Sequence, residues 1–113
     1  MSNSVNNKLR VFTYLMTQGV SKNNATIVSN KTGNLAKAQF YMMAKLGGLA
    51  HPFALNVMNK TNGNQMKSFA TSFKSFKQSD QNKVIRQYFN FRRQGNNHNK
   101  AVNRVFGSFF GSP

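Results

Sequence analysis

Apolar side chains recur every three or four residues along the first half of the chain, which is the spacing of one buried helical face. The first run covers residues 5–18, ends at Gly19 and predicts a helix that buries Val5, Leu9, Phe12 and Met16. Ser21 suits the cap of a short second helix that buries Ala25 and Val28 and ends at Gly33. Asn34 suits the cap of a third helix, with inward residues Leu35, Ala38, Met42, Leu46 and Leu49.

The segment 51–65 fits two structures. Pro52 suits the first turn of a helix, whereas Phe53, Leu55 and Val57 alternate as in a strand, and Asn62-Gly63 is a hairpin turn signal. We favour a helix over a small hairpin near residues 53–70. The reason is the helical spacing beyond the turn, in Met66, Phe69, Phe73 and Phe76.

Two further helices are predicted in the last third of the chain. Ser79 is expected to cap the first, with Asp80 in its opening turn, where a negative charge complements the helix dipole. Its inward residues are Val84, Tyr88 and Phe91, and it ends with Arg92 and Arg93 before Gly95. After the polar segment 96–99, Val102, Val105 or Phe106, and Phe109 indicate a last helix that fades into residues 111–113.

Short helices with short connections predict an all-α fold, in one basic domain over residues 1–113. We expect a compact bundle of five or six short helices with a helix-turn-helix-like N-terminal half. No internal repeat of fixed period is visible.

Charge is the feature most informative about function. Sixteen Lys and Arg residues face a single acid, Asp80, which gives a formal net charge of +15. Internal ion pairs cannot neutralise such a surface, and a polyphosphate backbone is its commonest counterion. A composition rich in Asn, Lys and Phe is typical of AT-rich genomes and suggests a phage, a mobile element or an AT-rich host.

The chain contains few residues that could act as catalytic groups or metal ligands. The chain has no Cys and no Glu, and its two His residues and one Asp are too few for a metal-dependent nuclease. Carboxylate-pair chemistry is excluded for the same reason. We therefore expect no enzymatic activity, no metal and no cofactor.

The first candidate site is a helix-turn-helix over residues 21–49. Its second helix would present Lys37, Gln39 and Lys45, with Tyr41, to base edges. Three consecutive helices with glycine turns also occur in many folds that read no DNA.

The second candidate is a basic face in the C-terminal half, where cations have one acid to oppose them. Its residues are Lys67, Lys74, Lys77, Lys83, Arg86, Arg92, Arg93, Lys100 and Arg104.

The third candidate is aromatic stacking on unpaired bases by Tyr14, Tyr41, Tyr88 or exposed Phe residues, with Tyr41 and Phe91 as the main candidates. Core packing is the stronger expectation for most aromatic residues, because they lie on helical stripes. His51 and His98 have no partner pattern, so we expect a loop residue and a surface turn residue.

Residues 95–102, Gly-Asn-Asn-His-Asn-Lys-Ala-Val, resemble the G-N-N-x-N segment of accessory proteins of plasmid mobilisation. His98 and Lys100 replace the usual Leu and Gln of that segment. The resemblance implies DNA binding near a transfer origin.

Two functions follow as hypotheses for a small non-enzymatic nucleic-acid-binding protein. One is a DNA-binding regulator or accessory factor; the alternative is a structural protein that coats or scaffolds DNA or RNA. The first places the protein in the cytoplasm or nucleoid, and the second in a virion or ribonucleoprotein particle, as a homo-oligomer or larger assembly. Binding to an acidic membrane surface or acidic protein is a third class. We do not expect membrane association, because the apolar helical faces are used in the core.

Overall fold

The computed structural model describes residues 2–110, with side chains over 5–107, and all regular secondary structure in that part of the chain is helical. The seven helices are α1 Ser2–Thr17, α2 Lys22–Lys31, α3 Leu35–Leu46, α4 His51–Asn59, α5 Gly63–Ser72, α6 Gln78–Arg93 and α7 His98–Phe110. The all-α class is confirmed. The count of five or six helices is wrong, because α4 and α5 are separate helices. The predicted Phe109 packing and the fading end at 111–113 lie outside the described side chains and residues.

The helix favoured for this segment is confirmed, the alternative hairpin near residues 53–70 is wrong, and Asn62-Gly63 begins a helix. The Asn62 Oδ1 accepts from the Gln65 amide at 2.8 Å, and the Gln65 Oε1 accepts from the Asn62 amide at 3.3 Å. This capping box satisfies two donors that a helix start would otherwise leave unpaired. The same dipeptide that favours a hairpin turn therefore starts α5 here.

Three helical hairpins, α1–α2, α3–α4 and α6–α7, share one turn design. Each turn has a glycine at positive φ, namely Gly19, Gly48 and Gly95. The amide after each glycine bonds back to a carbonyl five residues earlier, as in a Schellman motif. Each second helix starts three residues after its glycine and buries an alanine completely three residues later, at Ala25, Ala54 and Ala101. The small alanine lets the paired helices approach closely.

The core is centred on α3, which packs against α1, α4, α5 and α6. Aromatic rings fill the space between α3, α5 and α6. Phe69 stacks on Tyr88 with ring centroids 3.9 Å apart, and Phe40 meets Phe89 edge-on at 5.1 Å. All four rings are buried, so the aromatic stripes of the sequence do form a core.

Several predicted core positions are solvent-exposed. Val5 and Leu9 on α1 are 65% and 60% exposed, and Met16 is also exposed, while the buried face of α1 is Val11 and Leu15. The apolar residues of α1 cover more than one side of the helix, and α2 and α3 cover one side only. At the end of α3, Leu46 is exposed because the chain turns at Gly47 and Gly48, and Leu49 enters the core instead.

The start of α6 also differs slightly from the prediction. Its cap is Lys77, and Ser79 lies inside the first turn instead of capping it. Asp80 is in the first turn, as expected. Within residues 2–110, none of the helices is long and apolar enough to cross a membrane.

Candidate nucleic-acid interface

Arg92, in the last turn of α6, is a buried cation with 8% of its surface exposed. Its Nη1 donates to the Tyr88 hydroxyl at 2.7 Å and to the Thr61 Oγ1 at 2.8 Å. Thr61 in turn donates to the Val57 carbonyl oxygen at 2.7 Å. The guanidinium is thus held by two neutral hydroxyls, one from the α4–α5 turn and one from α6, and Thr61 is itself tied to α4.

No side-chain carboxylate is close enough to compensate this charge. The single acid of the chain, Asp80, lies in the first turn of α6, whereas Arg92 lies in the last. At 1.5 Å per residue these turns are about 18 Å apart along the helix axis. Arginine stays protonated in proteins, so Arg92 is charged without an acidic side chain beside it.

The Tyr88 hydroxyl also contacts His98, which is buried at the start of α7. Arginine only donates, so the Tyr88 oxygen accepts from Arg92 and its proton is free to bond the His98 Nδ1, 2.7 Å away. Burial first, and then the charge of Arg92, lower the pKa of His98.

Tyr88 also stays neutral at physiological pH. Burial raises the pKa of the Tyr88 hydroxyl, and the charge and hydrogen bond of Arg92 oppose this effect less strongly. Arg92 is thus the charged member of the Thr61–Arg92–Tyr88–His98 network.

A cleft of about 600 Å³ opens beside this network and is called here the Arg92 cleft. α4 and the residue after it contribute Phe53, Asn56, Val57 and Lys60, and α5 contributes Gln65. The rest of the lining consists of Arg92, Arg93 and residues 95–99. This volume is within the usual range of small-molecule pockets, about 300–1,000 Å³.

The Arg92 cleft presents hydrogen-bond donors to its contents. The Nη2 and Nε of Arg92 have no partner among the described residues. No fully buried side-chain nitrogen in that part of the chain lacks a partner, so both nitrogens contact solvent. The α7 N-terminus also faces the cleft: Asn97 Oδ1 caps the Lys100 amide at 2.9 Å, while the His98 and Asn99 amides have no helical acceptor.

A basic ridge on α6 leads toward the Arg92 cleft. Lys83, Arg86, Asn90 and Arg93 are spaced three, four and three residues apart, which places them on one side of the helix. Arg86, Asn90 and Arg93 line a second cleft of about 370 Å³, and Arg93 lines the Arg92 cleft as well. We call these four residues the α6 ridge.

The basic residues predicted in the C-terminal half divide into two groups. Arg92 and Arg93 meet at the Arg92 cleft, where Arg92 is buried instead of lying on the surface. The others have exposed side chains but do not line that cleft; they are Lys67, Lys74, Lys77, Lys83, Arg86, Lys100 and Arg104. The Arg104 guanidinium lies 5.8 Å from the ring centroid of the half-buried Phe91.

The residues predicted to read bases lie on the most enclosed helix. On α3, Gln39 is exposed, whereas Lys37 and Lys45 are half-buried. α2 packs mainly on α1 and α3 mainly on α4, and α2 and α3 have little contact with each other. A helix-turn-helix needs its first helix to pack on its recognition helix. Here α2 and α3 do not form such a pair; the close pairs of the N-terminal half are α1–α2 and α3–α4.

Two of the predicted stacking residues are buried. Tyr41 and Tyr88 have no exposed surface, and their hydroxyls bond His51 and His98. The expectation that these histidines are partnerless loop and turn residues is also wrong, because both are the first residue of a helix and contact a tyrosine ten positions earlier. Tyr14 is half-buried.

Sequence reasoning missed Phe53, Asn56, Lys60 and Gln65 as cleft residues. Phe53 is the exposed aromatic of the group, at 52%, on the side of α4 away from the core. Pro52 and the capping pattern of Asn62 and Gln65 are signals for two helices in this segment. Those signals do not show that the segment faces the end of α6.

Comparison with models of protein families, with curated proteins and with solved structures finds no match to the chain. Residues 95–102, which carry the resemblance to mobilisation accessory proteins, form the end of the α6–α7 turn and the start of α7. Function is therefore inferred from the geometry and charge of this chain.

Proposed function

We propose that this protein is a small, non-enzymatic nucleic-acid-binding protein that holds a phosphate backbone along the α6 ridge and coats or scaffolds the strand. The observation that carries the proposal is Arg92, a buried cation with no acidic side chain near it, at a cleft lined by Lys60 and Arg93.

The energetic reason is the cost of burying a charge. A guanidinium taken out of water loses on the order of several kcal/mol of solvation, and hydrogen bonds to neutral hydroxyls repay part of it. A phosphate oxygen in the Arg92 cleft would add a charge-assisted hydrogen bond to Nη2 or Nε. The bound anion would thus supply the counterion that the sequence lacks.

The α6 ridge extends this interaction beyond one anion. Lys83 and Arg93 are about 15 Å apart along the axis, so several consecutive phosphates can contact the ridge. Contacts of this kind attract any sequence, since phosphates carry no base information. Lys and Arg residues are spread over most of the chain with one acid to balance them. This distribution fits a protein that covers nucleic acid in a virion or ribonucleoprotein particle, as part of a larger assembly.

The alternative is a DNA-binding regulator that reads bases through α3. It has less support, because four helices cover α3 and Lys37 and Lys45 are half-buried. Gln39 is exposed on α3, so a substitution of Gln39 can test this alternative.

Salt-dependent binding of labelled oligonucleotides tests the proposal. Lys83→Gln, Arg86→Gln and Arg93→Gln together should reduce the slope of log K against log salt on a single strand by about two units. Lys8→Gln, Arg10→Gln and Lys22→Gln remove the same charge from the N-terminal hairpin as the matched control, and the slope should change less. Absence of binding at about 150 mM salt would exclude the proposed function. Stronger binding to anionic vesicles than to nucleic acid at that salt would favour a membrane partner.

A further inference from the structure

Beyond backbone binding, we infer that the Arg92 cleft is a pocket for one unpaired nucleotide of a nucleic-acid strand, with its phosphate at Arg92 and its base against Phe53. The assignment rests on the proposed nucleic-acid binding and adds the strandedness of the ligand and the residue that contacts the base.

The phosphate end of the pocket combines two features. The first is the buried Arg92, with Nη2 and Nε unpartnered among the described residues and open to solvent. The second is the α7 N-terminus, where the His98 and Asn99 amides lack helical acceptors and the helix dipole favours an anion. All of these groups donate hydrogen bonds, so they suit an anionic acceptor.

The base end is defined by Phe53. Phe53 lines the cleft with 52% of its surface exposed, so its ring is accessible to a planar ligand. Nucleobases stack on such rings whatever their sequence, because every base has a π face. Asn56 and Gln65 lie on the same cleft and offer amides to a base edge.

The α6 ridge determines that the ligand is part of a strand. Arg93 lines the Arg92 cleft and also the second cleft with Arg86 and Asn90, so phosphates on the ridge lead directly to the pocket. A base can enter a cleft and stack on Phe53 only if it is not covered on both faces by its neighbours, which selects unpaired nucleotides. Duplex DNA should bind the ridge and leave the pocket empty.

The chain has no Trp, so Phe53→Trp introduces a single tryptophan at the pocket, which can be excited selectively over the three tyrosines. We expect its fluorescence to be quenched by an oligothymidylate of about 15 nucleotides, a length within known single-strand site sizes. A duplex of the same length and inorganic phosphate should leave it unquenched. Equal quenching by thymidine monophosphate and by the oligonucleotide at the same low concentration would assign the cleft to a free nucleotide and overturn the strand assignment.

Affinity measurements separate failure of the pocket from failure of the function. Phe53→Ala should weaken oligothymidylate binding about tenfold and leave duplex binding unchanged. Leu46→Ala, which truncates another exposed apolar side chain at 73% exposure, is the matched control and should bind like the original protein. Tight oligonucleotide binding with full affinity in Phe53→Ala and no quenching in Phe53→Trp would overturn the pocket and leave the proposed function intact. If the original protein binds no oligonucleotide, both proposals fail.

Discussion

The Tyr88 hydroxyl and the His98 Nδ1 are hydrogen-bonded at 2.7 Å, and the two rings meet edge-on with centroids 5.7 Å apart. Tyr41 and His51 stand in the same relation, at 2.8 Å and 5.8 Å. In both pairs the tyrosine is in the first helix of a hairpin and the histidine begins the second, across a glycine turn. The hydrogen bond therefore ties the two helices of each hairpin together.

His98 makes the stability of the protein depend on pH. Its pKa in the folded protein is lowered below the usual 6.5, first by burial and then by the charge of Arg92. The unfolded chain therefore takes up a proton that the folded chain resists, so stability should be full above about pH 6.5 and fall as the pH drops below it. Few other groups titrate there, since the chain has one Asp and no Glu.

Thermal unfolding across a pH series measures this effect. His98→Gln keeps an acceptor for the Tyr88 hydroxyl and should flatten the acidic part of the curve. The pKa of His51 is also lowered, by burial and by Lys45, so His51→Gln is the comparison that shows the second histidine's share. An unchanged pH dependence in both variants would contradict the assignment.

Arg92 should be more important for binding than for stability. Arg92→Met removes two hydrogen bonds but also removes a buried charge, and Thr61 and Tyr88 keep their partners Val57 and His98. Since such replacements are often neutral, we expect the free energy of unfolding to change by less than about 1 kcal/mol. Oligonucleotide affinity should fall about tenfold or more. A loss of more than about 3 kcal/mol on unfolding would instead make Arg92 a structural residue.

Gly47 is required where α3 ends against α6. A Cβ at this position would lie 3.1 Å from the Phe89 Cδ2 and 3.2 Å from the Ile85 carbonyl oxygen, which belongs to the α6 backbone and cannot move alone. Gly47→Ala should therefore destabilise the protein by about 1–3 kcal/mol. Gly63→Ala is the control, because a Cβ there meets nothing within 4 Å; we expect no loss and a gain of up to about 1 kcal/mol. Urea unfolding of both variants checks the difference, and equal stabilities would mean that the helices move apart at little cost.

The helices were predictable because their signals are local. Ser21 and Asn34 cap α2 and α3 as expected, and the Phe69 and Val84 positions are buried. Which face of α1 is buried depends on how many helices pack against it. The spacing of apolar residues does not give that number. The stripe containing Val5 and Leu9 is more apolar than the one containing Val11, which has Asn7 and Lys8 beside it, so spacing alone favours the wrong face.

The cleft was less predictable than the fold, because it joins residues distant in sequence. The Arg92 Nη1 donates to Thr61, 31 positions earlier, and no local sequence pattern predicts that contact. A terminal-turn arginine is normally a solvated residue at the negative end of the helix dipole. The sequence signal that did point to the region was the near absence of acids.

The last prediction separates the structural role from the regulator through Gln39. If α3 reads DNA, a selection from random duplexes at about 150 mM salt should enrich one motif, and Gln39→Ala should relax specificity at one base pair by about 1–3 kcal/mol. If the protein binds the phosphate backbone, the selection should enrich no motif. Affinity should then increase with the length of the nucleic acid and be the same for Gln39→Ala as for the original protein. We expect the second result, because Gln39 is exposed while Lys37 and Lys45 on the same helix are half-buried. Enrichment of a motif that disappears in Gln39→Ala would show instead that α3 is accessible to the major groove and that the regulator is the better assignment.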